Sequence, residues 1–161
     1  MPLITAQDIW RGLLIYPLGD TIAALISRQF NISRLIGMML IGALLYAFEI
    51  PHYFNWLEKK IGQPQNFRYR LRKSALAALW FNPLWIARHL FFIYLFSGAW
   101  YKLNTHLIII GIYSFIWNLP VSLSANYVIQ NKLSLRWRFF ASAVFSSLMA
   151  IYYALSGVWL Q

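Results

Sequence analysis

The chain contains no cysteine and only four carboxylates among its 161 residues. The first absence excludes disulfides, thiol catalysis and thiolate metal sites. The second leaves little for acid-base chemistry or for holding a hard cation, which needs several oxygen ligands. Charged residues make up 11% of the chain against 60% hydrophobic, which is the composition of a domain that lives in lipid. HExxH, GxSxG and glycine-rich phosphate-loop motifs are all missing. No catalytic residue, metal ligand or cofactor is therefore nominated, and the chain is not expected to be an enzyme. The opening MPLITAQDIW has no basic stretch ahead of an apolar core, so neither a cleaved signal peptide nor an arginine-rich transit peptide is expected.

What is present is a set of long apolar runs, and one of them carries a pattern. Between Thr105 and Gln130 the residues Ser114, Asn118, Ser122, Asn126 and Gln130 recur at intervals of four inside an otherwise apolar segment. Such spacing places neighbours on one helix face. At helical rise the five side chains cover about 24 Å, most of a hydrocarbon layer about 30 Å thick. An unpaired amide or hydroxyl in hydrocarbon costs several kcal/mol, so the stripe must face other helices or a narrow wet passage. Pro120 lies in the middle of the segment and predicts a bend there, with the Ile116 carbonyl losing its partner.

The length fits one domain over residues 1–161. Continuous apolar runs without alternation argue for an all-α integral membrane bundle of about five transmembrane helices and against a barrel. These are expected near 9–28, 34–57, 74–101, 105–130 and 137–160. The first, apolar from Gly12 to Ser27, holds Pro17, Gly19 and Asp20 and reads as short and kinked, as broken helices lining transporter sites are. The second offers Gly37, Gly42 and Ala43 for close helix approach, then an aromatic belt at Tyr53, Phe54 and Trp56. The third contains Pro83 as a kink and Arg88 and His89 near its midpoint, after a basic loop from Glu58 to Lys73. The fifth carries small residues at Ser142, Ser146, Ala150 and Ala154.

Five crossings put Arg11, Lys59, Lys60, Arg68, Arg70, Arg72, Lys73, Lys132, Arg136 and Arg138 on one side, against Arg28, Arg34 and Lys102 on the other. The positive-inside tendency then places the amino terminus in the cytosol or matrix. The net charge of +10 is distributed in short segments between apolar runs, which fits anionic membrane lipids as partners and not nucleic acid. Homo-oligomerisation or membership of a larger membrane complex would also fit.

Asp20 and Arg88 are charges inside apolar segments, where each costs about 2.5 to 3.5 kcal/mol on insertion scales. They are expected to pair with each other, either as a substrate or proton site or as an ion pair that fixes helix packing. Glu49, some fifteen residues beyond Arg34, is expected near the headgroups. His89 is expected to be packed or hydrogen-bonded, and His52 and His106 to be interfacial. The substrate or pore-lining candidates are Asp20, Arg88, Asn118, Ser122 and Asn126, with Pro17, Pro83 and Pro120 as structural kinks.

Taken together, Gly19-Asp20, the series Arg34, Met38 and Gly42, the group Tyr53, Phe54, Leu57 and Glu58, then Phe81 and Pro83, then Pro120, Asn126 and Tyr127, and finally Leu155-Ser156 resemble the motifs of one family. It is the Mpv-seventeen and twenty-two-kilodalton peroxisomal membrane protein family, and the resemblance runs over most of the chain. It implies a small pore or metabolite conduit of an organelle inner membrane, the mitochondrial one in particular. A bacterial inner membrane is the alternative. Where the family has glutamine or an Asp-Gln pair, this chain has Ala24, Ala77 with Ala78, and Leu123, which implies a drier interior. Asp20-Thr21, Phe81-Asn82-Pro83 and Gly98-Ala99-Trp100 also resemble bacterial L-alanine exporters. The expected function is a channel or transporter of small solutes, with a structural or accessory subunit of a larger membrane assembly as the alternative and an amino-acid exporter as a second.

Overall fold

The computed structural model describes residues 5–62 and 66–159, the side chains of 150 and 153–159 excepted. All elements among the described residues are helical. Thr5 starts α1 (Ala6–Ile26) with a capping box: its hydroxyl accepts from the Asp8 N–H at 3.2 Å, and its own N–H donates to the Asp8 carboxylate at 3.0 Å. That cap lets the polar residues ahead of Gly12 join the helix. α1 therefore has 21 residues and runs unbroken through Pro17, Gly19 and Asp20, which corrects the expectation of a short, interrupted first element.

A turn with Arg28 in the left-handed region (φ 55°) leads to α2 (Ile32–Ile61), whose start is capped by Asn31 Oδ1 accepting from the Ser33 N–H at 2.8 Å. Its middle, Gly42–Tyr46, is a π-turn in which the Ala47 N–H reaches back to the Gly42 carbonyl. Gly12 of α1 lies against it so closely that a Cβ on either Gly12 or Gly42 would strike the carbonyl oxygen of the other. Backbones meet here without side chains between them.

The third crossing differs from expectation at both ends and in its middle. The basic run after Asn66 is helical, with Asn66 Oδ1 accepting from the Tyr69 N–H at 3.1 Å, so α3 (Phe67–Trp80) begins seven residues before the predicted start at 74. Its cations alternate with a buried face of Lys73, Ser74, Ala77 and Ala78. Pro83 does not kink a continuous helix; it is the first residue of α4 (Pro83–Phe96), with Asn82 Oδ1 capping the Trp85 N–H at 3.0 Å. Gly98 at φ 70° ends the crossing before residue 101. Then follow α5 (His106–Lys132), continuous through Pro120, and α6 (Leu135–Trp159).

Tyr16, Tyr46, Ile50, Phe54, Leu57, Ala77, Phe139 and Ala143 form the core between α1, α2, α3 and α6. α6 packs on α1, where a Cβ on Gly19 would collide with Ser147, and Ser147 Oγ donates to the Ile15 carbonyl at 2.6 Å. Of the small-residue face predicted on this helix, Ser142 is buried and Ser146 half-buried, whereas the side chains of Ala150 and Ala154 lie outside the described residues, as do those of Leu155 and Ser156.

The polarity of the bundle is inverted relative to a water-soluble one. Leu18, Leu44 and Trp117 are 62%, 70% and 73% exposed, while Asp20, Lys73 and Asn126 are at most 1% exposed. α1, α2, the α3–α4 pair and α5 are each long and apolar enough to cross a bilayer. Such a surface is stable only against acyl chains, so the chain is an integral membrane protein.

Candidate functional site

Two ion pairs join α1 to α2 and α2 to α4 inside the bundle, and they differ from the sequence expectation. Arg34 donates to both Asp20 oxygens, at 2.8 and 2.5 Å, and both side chains are buried. Arg88 donates to both Glu49 oxygens, at 2.9 and 2.6 Å, in a half-buried pair. Asp20 and Arg88 are thus not partners. The reason is the length of α2: Arg34 opens it and folds back beside α1 across a short turn, while Glu49 falls mid-helix, facing α4. Forked, bidentate geometry pairs both oxygens of each carboxylate, which is how ion pairs persist in lipid, although Arg88 Nε is left buried without a partner.

Between these pairs is an aromatic cluster. The Tyr46 hydroxyl and His89 Nδ1 share a hydrogen bond of 2.9 Å, and the Trp85 ring stacks on His89 with centroids 5.5 Å apart. Tyr16 packs on Tyr46 at 4.9 Å, and the Arg88 guanidinium lies 5.9 Å from the Tyr46 ring centre. His89 is hydrogen-bonded and packed. His52 Nδ1 bonds to the Phe48 carbonyl at 2.7 Å, and His106 is exposed at the start of α5.

The α5 stripe points inward. Asn118, Ser122, Asn126 and Gln130 are buried and Ser114 is half-buried. A step of four residues turns a helix through about 400°, so the stripe winds about 40° per step and meets different neighbours along its length. Asn118 and Ser122 line a cavity of about 40 Å³ with Tyr16, Trp85 and His89 on one side and Ser146 and Ser147 on the other. That is room for about three or four waters at roughly 10 to 15 Å³ each. One turn further, Asn126 donates to the Ser122 carbonyl at 2.9 Å while its Oδ1 has no partner. Gln130, 1% exposed, has neither amide atom bonded and lines a second, open pocket of about 490 Å³ at the basic end of the bundle. Ser142 Oγ on α6 is likewise buried and unpartnered.

Of the five nominated residues, Asn118 and Ser122 line the narrow cavity and Asn126 is buried one turn beyond it, whereas Asp20 and Arg88 sit in two separate ion pairs. Sequence reasoning missed Arg34, Lys73 and Arg138 as interior groups. Lys73 Nζ donates to Glu58 at 2.5 Å and Arg138 bonds the same carboxylate, so three residues taken as loop charges form a buried junction of α2, α3 and α6. A signal was available: Glu58 is the last carboxylate in the chain, so any buried cation after it competes for Glu58 or Glu49. Without Lys73, Arg138 and Arg34 the orientation count falls to eight against two and keeps its sign.

Comparison with protein-family models, curated proteins and solved structures finds no match for this chain. Asp20 and Arg34 bond to each other, and Ala24, Ala77 and Ala78 are buried. Among the described residues no group of three His, Asp or Glu side chains could hold a metal ion.

Proposed function

We propose that the protein conducts small solutes across its membrane along the buried face of α5, from the basic pocket at Gln130 past Asn126 to the cavity at Asn118 and Ser122. One observation carries the reading: Gln130, the Asn126 side-chain carbonyl and the Ser142 hydroxyl are buried polar groups without partners, and on α5 Asn126 stands one turn from Gln130 at the one pocket and one turn from Ser122 at the other. Helix-gluing amides and hydroxyls bond to one another across the interface. Groups left unpaired mark where water or a solute supplies the missing bonds. The narrow cavity is then a closed state of the path. The motif order shared with the Mpv-seventeen family supports the same reading and favours an organelle inner membrane.

The test is flux of small neutral and anionic osmolytes into liposomes, followed by light scattering. Asn126→Leu and Ser122→Leu are expected to lower flux at least tenfold, while Trp117→Leu on the lipid face leaves it unchanged. Equal flux through all variants would refute the path. A second reading, an accessory subunit of a larger membrane assembly, is favoured by the bidentate pairs Asp20–Arg34 and Glu49–Arg88, which act as fixed struts. Absence of flux in every preparation, together with partner chains that co-purify in mild detergent, would select it.

A further inference from the structure

The pocket at the basic end, which is also the mouth of the proposed path, has chemistry of its own. It is walled by Arg70 of α3, Gln130, Asn131 and Lys132 at the end of α5, and Ser134 and Arg138 at the start of α6, with Glu58 at its edge. Glu58 is shared by two buried cations, Lys73 and Arg138, so the junction holds more positive than negative charge before Arg70 and Lys132 are considered. Among the described residues neither Arg70 nor Lys132 has a carboxylate partner. The first turn of α6 adds free backbone N–H groups and the positive end of a 25-residue helix. The decisive feature is Gln130. It is 1% exposed and lines this pocket with both a donor and an acceptor unused, and the acceptor Asn131 Oδ1 beside it is also unpartnered.

An inorganic anion without an O–H group, such as chloride or sulfate, would use the cations and the Gln130 NH2 but leave the Gln130 and Asn131 oxygens without donors, and a hydrogenphosphate has too few hydroxyls to reach both while its oxygens face the cations. A phosphate ester carrying hydroxyls satisfies both sets. We infer that this pocket binds a glycerophosphate group: the phosphate held by Arg70, Lys132 and the Gln130 NH2, the glycerol hydroxyls donating to the Gln130 and Asn131 oxygens. A volume of about 490 Å³ accommodates it. The position at the membrane boundary, beside exposed Trp137 and the Arg11 that bonds the Arg136 carbonyl, admits either an anionic phospholipid headgroup or a soluble glycerol phosphate. The inference stands on the pocket's geometry, so loss of conduction would leave it intact.

Two titrations of the full chain in neutral detergent separate the sources. One uses sn-glycerol 3-phosphate. The other uses phosphatidylglycerol against phosphatidylcholine, followed by native mass spectrometry and by the shift in unfolding temperature. Binding is expected in at least one arm, and the arm that binds names the source. Arg70→Gln, which removes a guanidinium with no bond of its own, is expected to weaken it about tenfold. Gln130→Leu should weaken it severalfold, and Lys59→Gln with Lys60→Gln, exposed and outside the pocket, should leave it within twofold. No binding in either arm would overturn the assignment. So would binding insensitive to Arg70→Gln and Gln130→Leu, or binding that the Lys59 and Lys60 changes weaken as much as Arg70→Gln does.

Discussion

Replacing Arg34 with methionine isolates Asp20 inside the bundle and tests the pairing directly. In the native protein Asp20 is 1% and Arg34 6% exposed, and two hydrogen bonds of 2.8 and 2.5 Å join them. An exposed pair of this kind contributes at most about 1 kcal/mol. A buried pair broken on one side leaves an uncompensated charge and costs about 3 to 5 kcal/mol. Arg34→Met and Asp20→Leu are therefore each expected to destabilise by about that amount. The double variant, which removes both charges together, should lose far less than the sum, giving a coupling of about 2 kcal/mol or more. The assay is reversible unfolding in mixed micelles at rising dodecyl sulfate fraction, followed by tryptophan fluorescence. The same cycle run on Asp20 and Arg88 should be additive within about 0.5 kcal/mol, because Arg88 is held by Glu49. A loss below about 1 kcal/mol for Arg34→Met, or a coupling to Arg88 in place of Arg34, would refute the reasoning.

Three further outcomes follow from contacts elsewhere. Gly12→Leu forces apart the α1 and α2 backbones at the π-turn and should destabilise by about 3 kcal/mol or more in the same unfolding assay, whereas Leu14→Ala on the exposed face should cost under about 1 kcal/mol. Glu58→Gln strands Lys73 and Arg138, and its cost of about 3 kcal/mol should fall when Lys73→Met is added, as measured by that double-mutant cycle. Asn82→Ala removes the cap of α4 and should cost about 1 kcal/mol, with hydrogen exchange rising at the Trp85 amide.

How much of this was legible follows from the range of each signal. The α5 stripe was visible because a four-residue period in an apolar segment is a local pattern, and Asn118, Ser122 and Asn126 are inward as the pattern requires. The break at Asn82-Pro83 was misread as a kink because proline at a first helical position and proline inside a helix look alike in sequence; the Asn82 cap decides between them. The early start of α3 was hidden because FRYRLRK is too polar to score as a span, although its buried face repeats at helical spacing. Ion-pair identity was out of reach. Arg34 borders the second apolar run and reads as a flanking charge, which leaves Arg88 as the apparent partner of Asp20.

From the amino acids alone come the helical class and the lipid environment. Each is a sum over many residues, of apolar length and period, and sums survive local errors. The three-dimensional arrangement alone decides which cation meets which carboxylate, that Lys73 and Arg138 share Glu58, and that Gln130 opens onto a basic pocket while Asn118 opens onto a narrow cavity. Those depend on the close approach of α1 and α2 at Gly12 and Gly42 and on the winding of a four-residue stripe around a helix of 3.6 residues per turn.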